Sequence, residues 1–267
     1  AIGALARGWK MTGIEYQGKR IPCRLIIFDK DGTLIDFTAT WVPLIRKRVA
    51  FLLKKLEENK ELEAFLLEAF LLKSWGIDPV SGKVDPRGPC PVSPRGDEII
   101  IGTMALYQHG YPWDEAKQWV SQAFDEADAD GDWRQNVVPI KGIQTFLSGL
   151  KKDGFYTALA TNDERKDTEA ILNHLSMDGL FDVVLCSGEV NPAKPHPETI
   201  LTICRRLNLG PQEAVMVGDS VTDMMMGKRA GVALTVGILE GGVTPKEELE
   251  KVADLVVDSI QDLKFYK

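Results

Sequence analysis

The chain has 267 residues, of which 44% are hydrophobic and 27% are charged, and these values exclude a disordered or fibrous protein. This length is enough for one large domain or two modest ones. The formal net charge of −7 and the pI near 5.2 give no electrostatic reason to expect a nucleic-acid partner, and they favour small-molecule chemistry.

The amino-terminal segment, residues 1–23, is interpreted as a leader or edge segment, because it is basic but lacks the apolar run of a secretory signal. The least polar long stretch, residues 99–113, contains polar residues and a proline and falls short of the roughly 18 apolar residues that a membrane span needs. The four cysteines are scattered without a C-x-x-C pair, which suits reduced thiols. We therefore expect a cytoplasmic protein without a membrane span.

The first predicted strand of the main fold is RLIIF at residues 24–28, which leads directly into the polar turn DKDGT. Residues 37–137 show helical periodicity without buried-strand runs and predict an all-helical insertion. Apolar runs then alternate with helical stretches. The predicted strands are 155–160, 183–185, 214–217, 232–236 and 255–257, and the predicted helices are 164–175, 198–207 and 221–230. This alternation is typical of a doubly wound α/β domain with a parallel sheet covered on both faces.

Two pairs of carboxylates follow predicted strands. Asp29 and Asp31 stand two apart in FDKDGTL, at the carboxyl end of the first strand, where open α/β sheets bind ligands. Asp219 and Asp223 follow another apolar strand in VMVGDSVTD. A single such Asp is more commonly a helix N-cap or a turn residue. If the two strands are neighbours, however, the four carboxylates converge, and a cation such as Mg²⁺ would relieve their repulsion.

Thr161 and Lys194 are weak signals when each is taken alone. A Thr after a strand is usually an N-cap, and a Lys is usually a solvated charge. Together with the carboxylates they give the order D-x-D, then T, then K, then G-D-x-x-x-D along the chain. This order resembles the four motifs of the haloacid dehalogenase superfamily.

The resemblance implies a Rossmann-like core, residues 24–36 and 138–267, and a helical cap of the C1 type, residues 37–137. It implies Mg²⁺-dependent hydrolysis of a small phosphorylated metabolite through an aspartyl-phosphate, with a general likeness to phosphoglycolate phosphatases. Asp29 would be the nucleophile, Asp31 the general acid and base, and Lys194 the cation that orients Asp29. The implied phosphate-binding residues are Gly32, Thr161, Asn162 and Lys194, and the implied metal-binding residues are Asp29, Asp31, Asp219 and Asp223.

Two other functions stay open at the level of sequence. A sugar phosphomutase shares these residues and differs in how well its closed cap excludes water. A binding protein with a relict site is the second alternative, because likeness of fold does not prove activity. A dehalogenase is disfavoured, because it needs neither Asp31 nor the second acidic pair. The physiological substrate and the oligomeric state do not follow from the sequence.

Two features of the predicted cap are interpreted as ordinary surface. The acidic stretch at residues 124–133 resembles the start of a calcium loop, but Val137 stands where a bidentate Glu is needed, so we interpret it as a solvated hinge. Four cap arginines could bind a substrate carboxylate, although solvation is the commoner fate of such side chains. They are Arg46, Arg48, Arg87 and Arg95.

Overall fold

The computed structural model describes residues 12–56 and 61–267, and its centre is a six-stranded parallel sheet. The strands are β3 (Leu25–Phe28), β4 (Tyr156–Ala160), β5 (Val183–Leu185), β6 (Ala214–Gly218), β7 (Leu234–Ile238) and β8 (Leu255–Val257), and two earlier strands are described below. Their spatial order is β5-β4-β3-β6-β7-β8, with every neighbouring pair parallel. The expected doubly wound α/β fold is confirmed.

Helices cover both faces of this sheet, because alternate residues of a strand point to opposite sides. Ile26 and Phe28 pack with the helix α5 (Ile143–Lys152) on one face. Leu25 and Ile27 pack with the helix α7 (Glu198–Leu207) on the other face. The remaining core helices are α6 (Arg165–His174), α8 (Val221–Ala230) and α9 (Lys246–Leu249). A strand that is buried on both sides is apolar throughout, which explains the LIIF run of β3.

The register brings the carboxyl ends of three central strands to one edge of the sheet. Phe28, at the end of β3, lies opposite Leu159 of β4 and Val217 of β6. The ladder continues past β3, because the amide of Asp29 donates a 2.9 Å hydrogen bond to the carbonyl of Val217. The residues that follow these strands are therefore neighbours in space although they are far apart in the sequence.

The inserted segment is helical and has an apolar core of its own. Its helices are α1 (Phe37–Lys55), α2 (Glu61–Ser74), α3 (Arg95–Gln108) and α4 (Trp113–Ala129). The indole of Trp75 lies at the centre of this core, where it packs near Phe124 and donates to the carbonyl of Glu98. Gly102 of α3 makes room for it, since a Cβ at that position would lie 2.9 Å from the indole.

Two chain segments connect this helical cap to the core, and they run side by side. The amide of Asp36 donates to the carbonyl of Val138 at 2.8 Å, and the amide of Ile140 donates to the carbonyl of Leu34 at 2.9 Å. Asp36 also caps α1 by accepting a hydrogen bond from the amide of Ala39. The cap therefore begins and ends at one narrow junction next to the carboxyl edge of the sheet. The precise residue limits predicted for the cap stay a prediction.

A small antiparallel sheet adds to the core. It consists of β1 (Gly13–Tyr16), β2 (Lys19–Pro22) and β9 (Lys264–Tyr266), in the order β2-β1-β9. Gln17 and Gly18 both have positive φ in the two-residue turn of the hairpin, as a tight hairpin turn requires. Part of the segment interpreted as a leader or edge thus forms strands, while residues 1–11 lie outside the described residues.

No helix among the described residues is both long enough and apolar enough to cross a membrane. The four cysteines are free and buried.

Candidate active site

Three carboxylates meet at the carboxyl edge of the sheet. Asp29 follows β3, Asp219 follows β6, and Asp223 lies in the first turn of α8. One carboxylate oxygen from each of the three side chains lies within 4.8 Å of the others. Because β3 and β6 are hydrogen-bonded neighbours, three of the four carboxylates that the sequence analysis expected to converge lie together, and Asp31 is not in this group.

Lys194 lies between two of these carboxylates. Its Nζ is 2.6 Å from Asp29 Oδ1 and 2.8 Å from Asp223 Oδ1, and its side chain is only 5% exposed. Burial alone would lower the pKa of this ammonium, but the charges of Asp223 and Asp29 outweigh it and raise the pKa. Lys194 therefore stays a cation at neutral pH.

A single ammonium leaves this acidic cluster short of positive charge. Burial, followed by the charge of Asp223, raises the pKa of Asp29 to about 7. Burial and the charge of Asp29 likewise raise the pKa of Asp219 well above its ordinary value. Buried carboxylates in this state gain from a further cation, and three hard oxygen donors suit Mg²⁺. The residues present therefore fit the ion that the sequence motifs imply.

Both carboxylate oxygens of Asp223 accept hydrogen bonds. Oδ1 accepts from Lys194, and Oδ2 accepts a 2.6 Å hydrogen bond from the hydroxyl of Ser220. Ser220 in turn accepts from the amide of Asp223, and this capping box begins α8. The helix cap and the acidic cluster therefore hold Asp223 in one orientation.

Two glycines allow the backbone to approach Asp219 closely. A Cβ on Gly32 would lie 2.3 Å from Asp219 Oδ2, and a Cβ on Gly242 would lie 2.6 Å from Asp219 Cβ. Gly32 also has a φ of +78°, which only glycine adopts readily. The amide of Gly32 donates to the carbonyl of Ile35, so any phosphate contact in this turn would come from other amides.

The second carboxylate of the first motif, Asp31, lies in a different environment. Its Oδ1 accepts two hydrogen bonds of 2.7 Å, one from Lys30 Nζ and one from the indole N–H of Trp41. Lys30 is fully buried and also pairs with Asp163 at 2.8 Å. Burial and then the charge of Asp163 raise the pKa of Asp31, although Lys30 works in the opposite direction. Asp31 thus differs from Asp29 in its partners.

Thr161 and Asn162 follow β4 at the same edge of the sheet and line the cavity described next. The Oγ1 of Thr161 accepts a hydrogen bond from the amide of Asp163 at 3.1 Å, and this leaves the hydroxyl proton available to a ligand. The sequence analysis did not identify Lys30, Trp41, Asp163 or Gly242. The position of Lys30 between two motif carboxylates was the signal that could have revealed it.

A cavity of about 160 Å³ lies between the carboxyl edge of the sheet and the cap. Asp29, Asp31 and Lys194 line its core side. Its cap side includes the aromatic rings of Trp41 and Trp133, whose centroids are 5.4 Å apart, together with charged residues. The charged residues on the cap side are Arg48, Arg95 and Glu98.

Arg48 does not have the solvated surface position that the sequence analysis favoured for the cap arginines. Its side chain is 6% exposed, and its Nε and Nη2 donate to the two oxygens of Asp128 at 3.0 and 3.1 Å. Asp128 lies on α4, so residues 124–129 of the acidic stretch interpreted as a hinge are the last turns of that helix, and only residues 130–133 lie beyond it. The interpretation as a solvated hinge was therefore wrong for residues 124–129.

The family model described as haloacid dehalogenase-like hydrolase matches residues 23–231. Phosphoglycolate phosphatase 1 of Pseudomonas aeruginosa is 26% identical over 249 residues, which cover 91% of this chain and 79% of that protein. N-acetylmuramic acid 6-phosphate phosphatase of the same species is 23% identical, with coverage of 92% and 95%.

Solved structures show the same fold. The crystal structure of a predicted phosphoglycolate phosphatase from Haemophilus somnus superposes with a TM-score of 0.65 at 22% sequence identity. The superposition covers 90% of this chain and 96% of that one, so the likeness includes both the sheet and the helical insertion.

Proposed function

The chain belongs to the haloacid dehalogenase-like hydrolases, and on this premise we propose that it is a Mg²⁺-dependent phosphatase that hydrolyses a small soluble phosphomonoester through an aspartyl-phosphate, an acyl phosphate formed on Asp29. The single observation that carries the proposal is the environment of Asp29. This carboxylate ends the central strand, contacts Lys194 at 2.6 Å and lies within 4.8 Å of two further acidic side chains. Such an arrangement suits a nucleophile that must approach an anionic phosphate.

In the first half-reaction, a carboxylate oxygen of Asp29 attacks the phosphorus atom. The new bond joins Asp29 to phosphorus, and the bond between phosphorus and the leaving oxygen breaks. Asp31 supplies the proton that the leaving oxygen needs. Because Asp31 Oδ1 already accepts two N–H donors, this proton belongs on Oδ2.

In the second half-reaction, a water molecule attacks the phosphorus of the acyl phosphate. Asp31, now ionised, accepts a proton from this water as the bond between phosphorus and the Asp29 oxygen breaks. Inorganic phosphate leaves, and both carboxylates return to their starting states. One side chain thus acts as the acid in the first step and as the base in the second.

Groups around Asp29 stabilise the negative charge on the phosphoryl oxygens. Lys194 contributes a buried cation, and the hydroxyl of Thr161 and the amide of Asn162 contribute neutral donors. Asp29, the main-chain carbonyl of Asp31, and Asp219 would hold Mg²⁺, with Asp223 binding the ion or fixing its neighbours. When bound, Mg²⁺ supplies positive charge to the phosphoryl group and to the crowded carboxylates.

Phosphate release from a panel of phosphomonoesters, with Mg²⁺ and with EDTA, tests this proposal. The panel includes phosphoglycolate, sugar phosphates, nucleotides and p-nitrophenyl phosphate. We expect Mg²⁺-dependent release from the wild type and a loss of about 10⁴-fold or more in Asp29→Asn, which keeps the size of the side chain. Full activity in EDTA would defeat the metal assignment, and appreciable activity of Asp29→Asn would defeat the assignment of the nucleophile.

The same panel separates the alternatives. Isomerisation of a sugar phosphate without phosphate release would identify a mutase. The absence of any turnover in the presence of Mg²⁺ would favour a binding protein with a relict site.

A further inference from the structure

The charged side chains on the cap side of the cavity limit which charged groups the substrate can carry. Among the described residues that line the cavity, the cations are Lys194, Arg48 and Arg95. Lys194 is held by Asp29 and Asp223 at the position proposed for the phosphate. A second anionic group on the substrate that pairs with a side-chain cation of the cavity would therefore bind one of the two cap arginines.

Both cap arginines already have carboxylate partners. Besides its two hydrogen bonds to Asp128, Arg48 donates from Nη1 to Glu98 Oε2 at 3.1 Å. Arg95 donates from Nη1 to Asp128 at 2.5 Å and from Nη2 to Asp125 at 2.8 Å. Two guanidinium groups thus face three carboxyl groups, so the network carries no net positive charge for a substrate carboxylate.

Moving Arg48 to a substrate carboxylate would leave the buried Glu98 without its arginine, whereas Asp128 would keep Arg95. The side chain of Glu98 is 12% exposed and that of Asp128 is 22% exposed. The pair between Arg48 and Asp128 is bidentate, and Arg48 also lies 4.6 Å from the centroid of the Phe124 ring. Breaking one partner out of a buried charge pair is strongly unfavourable.

The same wall offers good partners to hydroxyl groups. Glu98 lines the cavity and accepts from Arg48 through Oε2, so Oε1 is the oxygen that it can offer to a hydroxyl group. The indoles of Trp41 and Trp133 add flat apolar surface. An acceptor beside aromatic faces suits a molecule that carries O–H groups on one side and C–H groups on the other.

We propose that the leaving group of the substrate is an uncharged, hydroxyl-bearing carbon chain or ring, such as a polyol or a sugar, and that Glu98 and its arginine partners exclude leaving groups with a carboxylate. This proposal rests on the proposed phosphatase activity and narrows its substrate class. The cavity of about 160 Å³ limits the leaving group to a small molecule.

Matched pairs of substrates test the proposal, because each pair differs only in a hydroxymethyl group against a carboxylate. The pairs are 2-hydroxyethyl phosphate and phosphoglycolate, glycerol 1-phosphate and 3-phosphoglycerate, and glucitol 6-phosphate and 6-phosphogluconate. With Mg²⁺ present, we expect kcat/KM to be at least about 10-fold higher for the hydroxymethyl member, since like charges in contact disfavour the wrong ligand. An equal or higher kcat/KM for the carboxylate members overturns the proposal.

Two variants assign the selectivity to the network. Glu98→Gln keeps the shape and removes the charge that Glu98 carries when it is ionised, so in assays at pH 8 the preference for the hydroxymethyl substrates should fall by about fivefold or more. Asp125→Asn should also reduce the preference for the hydroxymethyl substrates. Asp125 is exposed, so this substitution should not disturb folding. Glu115→Gln is the matched control, because Glu115 is exposed on α4 outside the cavity, and it should keep the wild-type preference. An unchanged preference in both test variants overturns the role of the network.

The outcomes separate this inference from the proposed function. Hydrolysis of p-nitrophenyl phosphate without hydrolysis of any hydroxymethyl member overturns the substrate class and leaves the phosphatase proposal standing. The absence of any hydrolysis with Mg²⁺ defeats both.

Discussion

The indole N–H of Trp41 donates a 2.7 Å hydrogen bond to Oδ1 of Asp31, and so joins the first cap helix to the proposed acid and base of the core. Lys30, which lies 5.3 Å from the centroid of the Trp41 ring, donates to the same oxygen. These two donors leave Asp31 Oδ2 to exchange protons with the substrate. The orientation of the acid therefore depends on a residue that the cap contributes.

Trp41→Phe should weaken general acid catalysis while it keeps the aromatic ring. For an alkyl phosphate, whose leaving oxygen needs a proton, we expect kcat/KM to fall by about 10-fold or more. For p-nitrophenyl phosphate, whose leaving group is a stable anion, the loss should be much smaller. The measurement is kcat/KM on both substrates, with Trp119→Phe as the control because Trp119 lies in the cap outside the cavity. Equal losses on the two substrates would contradict a role in proton transfer.

Asp219→Asn should stabilise the protein when metal is absent. Burial and the charge of Asp29 raise the pKa of Asp219, which shows that its ionised form is unfavourable in the folded state. A neutral amide of the same shape removes this cost, so the free energy of unfolding in EDTA should rise by about 1–3 kcal/mol.

The same variant should lose most of the stabilisation that Mg²⁺ gives to the wild type. Thermal unfolding with EDTA and with Mg²⁺ measures both effects, and Asp114→Asn at an exposed cap position is the control. A variant that is less stable in EDTA and still responds fully to Mg²⁺ would rule out this account of the acidic cluster.

Gly242→Ala should displace Asp219 without straining the backbone. The added Cβ would meet Asp219 Cβ at 2.6 Å, and the φ of Gly242 lies outside the left-handed region. A shift of about 1 Å in a catalytic group can cost about 100-fold in rate, so we expect a loss of this order in kcat/KM. Gly179→Ala is the control, since its Cβ would meet nothing within 4 Å. Wild-type kinetics in Gly242→Ala would show that Asp219 tolerates the shift.

Glu98→Gln should change how stability depends on pH. Burial, partly offset by Arg48 and reinforced by Asp163, raises the pKa of Glu98 from 4.5 to about 7. A raised pKa in the folded state contributes stability below pH 4.5, and this contribution is lost as the pH rises to about 7. The difference between these two pKa values corresponds to a change of about 3 kcal/mol in the free energy of unfolding.

Relative to the wild type, Glu98→Gln should therefore gain stability between pH 4.5 and 8. Urea unfolding of both proteins in EDTA across this pH range gives the difference between their free energies of unfolding. The contributions of the other acidic groups are the same in both proteins and cancel in this difference. A difference that does not change with pH would mean that Glu98 keeps its ordinary pKa in the folded protein.

The part of the site that follows strands was predictable from sequence. Asp29, Thr161 and Asp219 each follow a short apolar run, and parallel strands bring such positions to one edge. The doubly wound sheet was predictable for the same reason. The predicted strand at 232–236 was two residues early, because Val232 and Ala233 are apolar but precede the paired segment Leu234–Ile238.

Features that depend on long-range pairing were not predictable. The pair between Arg48 and Asp128 joins α1 to α4, and neither residue has a local signal that names the other. Trp41 lies at an apolar position of an amphipathic helix, so its hydrogen bond to Asp31 cannot be inferred from periodicity. The strands β1 and β9 are three or four residues long, and they are defined by their pairing with each other.

The strands lie in the sheet in a different order from their order in the chain, and this affects folding while the protein is made on the ribosome. Asp29 emerges early with β3, but the two strands that flank β3 begin only at Tyr156 and Ala214. The cap, which is contiguous and has its own apolar core, can pack before either flanking strand exists. A nascent chain that has not passed β6 carries Asp29 without Asp219, so the proposed site can form only after β6 has been made.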